Sequence, residues 1–452
     1  DDVLLRAQRL EEPVAQHPEL QAVEERVHGL PVPRTQREVA RVQLEVQVTD
    51  QGVEAAVAHD VAEVLALLGV RPEWDEASRR VNDLVVVPLE ELDRPRIDVT
   101  VRISGFFRDA FPHVVAMLDD AVRMVAALDE PEDLNYVRAH AQADLAEHGD
   151  ERRATTRVFG SKPGSYGAGI LQVVESRDWR SDADLAEVYT AWGGFAYGRD
   201  LDGRPAADDM RTAYKRIQVA AKNVDTREHD IADSDDYFQY HGGMVATVRA
   251  LTGSDPQAYV GDSTSPDAVR TRTLQEETNR VFRARVVNPR WIAAMQRHGY
   301  KGAFELAATV DYLFGFDATA GVVHDWMYES LAREYVLDET NQQFMRRSNP
   351  WALRGIVEKL HEAADPELFI PVHGEYAHLV AHHGLALERG MDPDRVVRCT
   401  DGDQIRLTDN GLEPAGRVSG EYVMVDERGQ TLGEDLVEER RALSGEGFVL
   451  VR

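Results

Sequence analysis

The sequence predicts an α/β fold: a helix-rich α/β body followed by a small β-rich α/β segment. Three observations predict it. Between Asp60 and about Val125, apolar runs of strand length alternate with runs of helical spacing. Helical text dominates from Asp182 to about Ala364. From about Asp365 the chain breaks into short strand-like runs separated by turns. Three regions follow: a charged N-terminal segment over 1–58, a body over 59–364 and a C-terminal segment over 365–452.

Residues 1–58 carry short amphipathic runs punctuated by Gly29, Pro31 and Pro33, and suggest no chemistry. Val61 to Val70 is apolar at helical spacing and stops at Gly69. Leu84 to Leu89 predicts a buried strand, and Ile97 to Ser104 a second one with alternation. Pro112 opens a helix whose apolar face is Val114, Val115, Leu118, Val122 and Val125. Arg157 to Ile170 is glycine-rich, with Gly160, Gly164, Gly167 and Gly169. It lacks the Gly-Lys-Ser/Thr ending of a Walker A loop and the spacing of a dinucleotide fingerprint. It reads equally as a plain loop before a helix and as a loop that contacts a ligand. Helices are expected over Asp182 to Trp192, Met210 to Ala221 and Asp267 to Val287, and again up to Ala364 with a break at Asn349-Pro350. In the last segment Glu367 to Glu375 predicts a buried strand and Tyr376 to Arg389 a helix. Short strands such as VVRCT and DQIRL follow.

The 452 residues allow several cores, and 43% hydrophobic content is ordinary for a globular protein. A net charge of -29 with no Lys/Arg block argues against a nucleic-acid partner. No apolar run reaches the length of a membrane span. The single cysteine, Cys399, excludes an internal disulfide and suits a reducing cytoplasm. The opening DDVLLRAQRL has neither a starting Met nor a signal-peptide core, so the expectation is a truncated piece of a longer protein.

Chemistry concentrates in Arg227 to Met244, REHDIADSDDYFQYHGGM, which gathers carboxylates, imidazoles and phenols before two glycines. Such a set can hold a divalent ion, relay protons and flank a flat ligand. Taken alone, it reads first as an acidic surface loop that caps a helix. Trp192, Phe195 and Tyr197 read either as the wall of a macrocycle site or as core.

Eight stretches occur together and in one order: GVRPEWDEASRR, RPRIDVTVRISGFFRDAFP, RVFGSKPGSYGAGI, AWGGFAYGRD, DSDDYFQYHGGM, NPRWIAAMQRHGYKG, DYLFGFDATAGVVHDWMYE and SNPWALR. Through them Asp60 to about Ala364 resembles the C-terminal part of the aerobic cobaltochelatase large subunit and, more distantly, that of magnesium chelatase. The resemblance implies a chelatase-type body and a cytoplasmic, ATP-dependent insertion of Co2+ into hydrogenobyrinic acid a,c-diamide in cobalamin biosynthesis. It implies AAA+ ATPase partner subunits that carry ATP and Mg2+, with a corrin precursor bound here. On this reading His229, Asp235, Asp236 and His241 pass the ion, and His229, Asp235 and Asp236 also accept protons. Trp192, Tyr197 and Tyr237 contact the ring, and Arg157 and Lys162 meet its carboxylates. Residues 367–452 resemble ribonuclease J in FIPVHGEYAHLVAHHGLALERG, DGDQIRLTDNG and GEDLVEERRALSGEGFVLV. His373 and Glu375 would be a vestigial nuclease motif. The two-zinc motif of that family is missing, so no zinc is expected. The alternatives are a non-catalytic module that binds a tetrapyrrole or a partner, and an RNA-processing fragment acting through the tail.

Overall fold

The computed structural model describes residues 41–46, 53–74, 81–224, 229–262, 270–372, 376–400, 402–408 and 411–418. Twelve strands lie among them: β1 (Arg41–Val46), β2 (Val70–Trp74), β3 (Val81–Val86), β4 (Asp98–Ile103), β5 (Val158–Gly160), β6 (Phe195–Gly198), β7 (Leu201–Pro205), β8 (Val219–Val224), β9 (Gln257–Asp262), β10 (Arg270–Thr273), β11 (Asp403–Thr408) and β12 (Gly411–Arg417). The chain divides into two compact units, one ending at Leu360 and the other beginning at His361.

The first unit is built on an eight-stranded sheet of order β10-β9-β8-β1-β4-β5-β6-β7. β9, β8, β1, β4 and β5 run parallel, and β6, β7 and β10 join the edges through antiparallel pairs. Helices cover both faces, as a parallel sheet requires. On one face Val99, Val101 and Ile103 of β4 and Val219 and Ala221 of β8 pack on Val64, Leu65 and Leu68 of helix Val53–Leu68. Leu118 and Val122 of helix Pro112–Ala126 complete that layer. On the other face Phe159, Ala220 and Val260 meet Leu185 and Tyr189 of helix Asp182–Gly193. Val245 and Val248 of helix Gly243–Thr252 join them, with Phe316 of helix Gly299–Ala320. Period-2 alternation sends successive residues of β8 into opposite cores.

Several expectations need correction. Val81–Val86 does not enter the main sheet; it pairs with β2 in a two-stranded hairpin and is largely exposed. The helix expected over Met210 to Ala221 ends at Tyr214, and β8 begins at Val219. In place of one helix over Asp267 to Val287, Arg270–Thr273 is strand β10 and the helix runs Leu274–Val281. Thr273 caps it in a reciprocal capping box with Glu276. The helix ending at Gly69 does so in the left-handed conformation, φ 72°. Three helices pass into π-turns, at Phe238–Gly242, Phe282–Val286 and Ala332–Leu337.

In the second unit Phe369 forms only an isolated bridge with Val396, so neither the described residues 367–372 nor VVRCT form a full strand there. The helix Tyr376–Glu388 and the hairpin β11–β12 are present. His373 and Glu375 lie outside the described residues.

Candidate functional site

In a doubly wound sheet, ligands bind beyond the carboxyl ends of the parallel strands, near the point where the strand order reverses. Here β1 is that point, with β4 following on one side and β8 on the other. Two motif-bearing segments leave the sheet at this edge. The glycine-rich loop 161–169 follows β5, and the segment holding the acidic turn follows β8.

Arg108 holds the glycine-rich loop in shape. Its Nη1 donates to the carbonyls of Ser161, Lys162 and Ser165 at 3.1, 3.0 and 3.2 Å. Its Nε and Nη2 grip Asp109 at 2.6 and 2.9 Å. Asp109 also accepts from the Tyr166 hydroxyl at 2.7 Å, and the Arg108 guanidinium holds its carboxyl below the usual range. Trp192 Nε1 donates to the Tyr166 carbonyl at 3.2 Å. Gly164 and Gly167 have φ of 76° and 81° with open space where a Cβ would stand. The loop therefore presents Tyr166, 58% exposed, beside exposed Lys162, with Phe106 40% exposed on the neighbouring short helix Gly105–Ala110.

The acidic turn is clamped too. Arg285, on a π-turn, donates to both oxygens of Asp230 at 2.7 Å each and lies 3.5 Å from Asp233. Burial, and then Asp230, push the Asp233 carboxyl above its ordinary value against the pull of Arg285. Gln239 joins the turn to the loop. Its Nε2 donates to Asp235 at 2.6 Å, and its Oε1 accepts from the Leu171 amide at 3.3 Å in the helix that follows the glycines. Behind them stand Asp311 and Tyr312. Burial raises the Asp311 carboxyl to about 6, with Glu175 and Glu358 adding to the rise and Lys359 opposing it. Burial together with Asp235, Glu305, Asp311 and Asp233 pushes the Tyr312 phenol up to about 12.

The structure sorts the expected residues. His229, Asp235 and Asp236 lie half-buried on the turn, and Lys162 and Trp192 lie by the loop. His241 does not join them. It is 1% exposed beneath the turn, with Nε2 3.2 Å from the Ala220 carbonyl. Burial lowers its pKa to about 4, so it stays neutral at physiological pH. Arg157 lies at the amino edge of the sheet, 2% exposed. Its Nε is 2.8 Å from Asp98, which also takes His140 at 2.7 Å. Its Nη1 donates to the Ala154 and Thr156 carbonyls and its Nη2 lies 3.5 Å from Asp144, so the buried guanidinium is turned to the protein's own acceptors. Tyr197 is buried behind the loop, donating to the Ser161 carbonyl at 2.5 Å. Tyr237 is buried over Lys222, whose Nζ is 5.8 Å from its ring. Both phenols are core, because rings beside tight turns fill the space the turns enclose. Among the described residues no group of three or more His, Cys, Asp or Glu is placed to hold a metal ion. The four expected ligands therefore form no resident metal site. Reading the sequence missed Arg108, Tyr166 and Asp311. A lone Arg after a strand and a Tyr between glycines were the available signals.

The sequence profile of the CobN/Magnesium Chelatase family matches residues 55–373. The chain belongs to this family. It is 52% identical over 312 residues to the aerobic cobaltochelatase subunit CobN of Pseudomonas aeruginosa, covering 67% of this chain and 25% of that protein. It is 33% identical over 314 residues to a magnesium-chelatase subunit from Rhodobacter capsulatus, covering 69% of this chain and 26% of the relative. Among solved structures, the catalytic subunit of cobaltochelatase from Mycobacterium tuberculosis superposes with a TM-score of 0.74 at 67% identity, over 82% of this chain and 31% of that one. The chain thus spans about a quarter of the length of the curated relatives it matches. The likeness of residues 367–452 to ribonuclease J finds no support in these comparisons. The CobN/magnesium chelatase match runs on through residue 373, into the stretch Glu367 to Glu375 read as the opening of that tail. Among the described residues no helix is long and apolar enough to cross a membrane.

Proposed function

We propose that this chain is the tetrapyrrole-holding portion of a cobaltochelatase large subunit. Its reaction is the insertion of Co2+ into hydrogenobyrinic acid a,c-diamide in the cytoplasm, driven by AAA+ partner subunits that hydrolyse Mg-ATP. The observation that carries the reading is the meeting, at the carboxyl edge of one sheet, of a pinned glycine-rich loop with exposed aromatics and a clamped acidic turn. Membership of the family supplies the chemistry to ask of it.

Metal insertion needs labile ligands, a proton acceptor and a grip on a flat ring. Asp235, Asp236 and His229 are the labile oxygen and nitrogen donors that hand the ion on. A turn without a closed ligand set suits an ion that is substrate and must leave. Asp311, raised to about 6, is the acceptor for a ring N–H proton. Tyr166, Phe106 and Trp192 offer the ring its wall, and Lys162 meets a peripheral carboxylate. The test is alanine at both Asp235 and Asp236 in a reconstituted full-length enzyme, with insertion followed by the corrinoid spectrum. The rate is expected to fall by about tenfold or more; an unchanged rate refutes the assignment.

A second reading, a binding module without turnover, is favoured by the lack of any grouped metal-ligand set among the described residues. Absorbance titration with the corrin precursor separates the two. Binding with no spectral change on adding cobalt, ATP and the AAA+ partners supports the module.

A further inference from the structure

Arg102 of β4 is 0% exposed and has no carboxylate partner among the described residues. Its Nη1 donates to the Ile103 carbonyl at 2.7 Å, while Nε and Nη2 have no hydrogen-bond acceptor there. Those two donors form one edge of the guanidinium. Elsewhere in this chain the same edge holds a carboxylate side-on: Arg96 on Glu130, Arg249 on Asp182 and Arg285 on Asp230. In Arg102 that fork meets no acceptor among the described residues.

The surroundings keep it so. Tyr240 and Tyr189 lie 5.1 and 5.7 Å from the guanidinium carbon. A Cβ at Gly193 would stand 2.8 Å from Nε, 2.9 Å from Nη2 and 3.0 Å from Cζ. Both edge nitrogens lie nearer than Cζ, so a side chain at 193 would crowd that edge itself, and glycine leaves it without one. Two residues back on the same face of β4, the Thr100 hydroxyl is also buried without a partner. In the same row of the sheet lies Lys222 of β8, 3% exposed, whose described contact is the Tyr237 ring. Arg102 and Lys222 are each in register with Glu45 on the strand between them, so their Cα atoms are about 10 Å apart. Two buried cations and an orphan hydroxyl in one patch are costly unless an anion completes them.

We propose that this patch, beneath the π-turn Phe238–Gly242, binds a carboxylate, seated side-on on Nε and Nη2 of Arg102 with Lys222 as the second cation. The planar fork selects a carboxylate over a spherical halide. The inference does not require the chelatase reading. The carboxylate comes either from a small organic acid or from an arm of a bound ring.

The test follows thermal unfolding of the full 452-residue chain in sodium propionate against sodium chloride at equal ionic strength. Propionate is expected to raise the midpoint by roughly 3 °C or more. Arg102→Met and Arg102→Lys are expected to abolish the rise, the second while keeping the charge, and Lys222→Met to reduce it. Should an Arg102 variant not fold, Lys222→Met carries the test. No propionate-specific rise in the wild type, or a rise that survives both Arg102→Lys and Lys222→Met, overturns the proposal. So does a rise that appears only in Glu45→Gln, because the counter-ion would then be internal. A porphyrin with free carboxylate arms and its methyl ester identify the source. Tighter binding of the acid, lost in Arg102→Lys, assigns the site to a ring arm. Equal binding of acid and ester, with the propionate response intact, assigns it to a free acid.

Discussion

Replacing Asp311 by Asn should make the protein more stable at neutral pH and a poorer chelatase. Burial pushes the Asp311 carboxyl from 3.8 to about 6, so the folded state holds its proton more tightly than the unfolded state does. Stability from this group is therefore whole below about pH 4 and is lost as pH rises towards 6. Each pH unit of displacement is worth about 1.4 kcal/mol, so ionising Asp311 costs the fold at most about 3 kcal/mol at pH 8. Local relaxation reduces this, and about 1 to 3 kcal/mol is the expected gain for Asp311→Asn at pH 8. Urea unfolding of both proteins at pH 5, 6, 7 and 8 measures it. The difference should grow with pH and flatten above about 7. A difference that is constant with pH, or that shrinks, would mean the carboxyl is not displaced and cannot be the poised acceptor.

Other perturbations separate the loop, the amino edge and the turn. Arg108→Lys cannot reach three carbonyls while gripping Asp109, so the affinity for a tetrapyrrole, read by absorbance titration, should fall by about tenfold while the fold persists. Asp98→Asn removes the shared partner of Arg157 and His140 and should cost about 3 to 5 kcal/mol in urea unfolding. Ring affinity of the folded protein should not change; a parallel loss would return Arg157 to the ligand site. At Gly242 a Cβ would fall 2.1 Å from Thr319 Oγ1. Gly242→Ala should therefore lower stability by about 1 to 3 kcal/mol, and the loss should be partly relieved by Thr319→Ala in a double-mutant cycle.

The α/β body could be read from the sequence because burial leaves a periodic trace. The helix face Val115, Leu118, Val122 and Val125 is buried as its spacing predicts. The apolar run Leu84 to Leu89 misled, because β-branched residues suit an exposed hairpin as well as a central strand. Met210 to Ala221 misled for the reverse reason: alanines at 220 and 221 favour a helix alone, but sit in β8 under two cores. At the site, the acidic turn and the glycine-rich loop could be picked out as chemistry-bearing stretches. Which members face a ligand could not. His241 and Tyr237 are drawn under the turn by the π-turn geometry, and Arg157 is claimed by Asp98, which is 59 residues away in the chain. Arg108 gave only the signal of a lone Arg after a strand, because most of its work is done on backbone carbonyls, which every sequence has.

A π-turn is an α-helix that carries one residue more than its hydrogen-bond ladder needs. At Phe238–Gly242 the surplus lies in a fully buried stretch, between the clamped acids and the helix Gly243–Thr252. Most interiors cannot lose a residue without rotating everything downstream. This one can shed it, tighten into a plain α-helix and leave both flanks standing. The length of the chain is negotiable here, directly under its most chemically loaded surface.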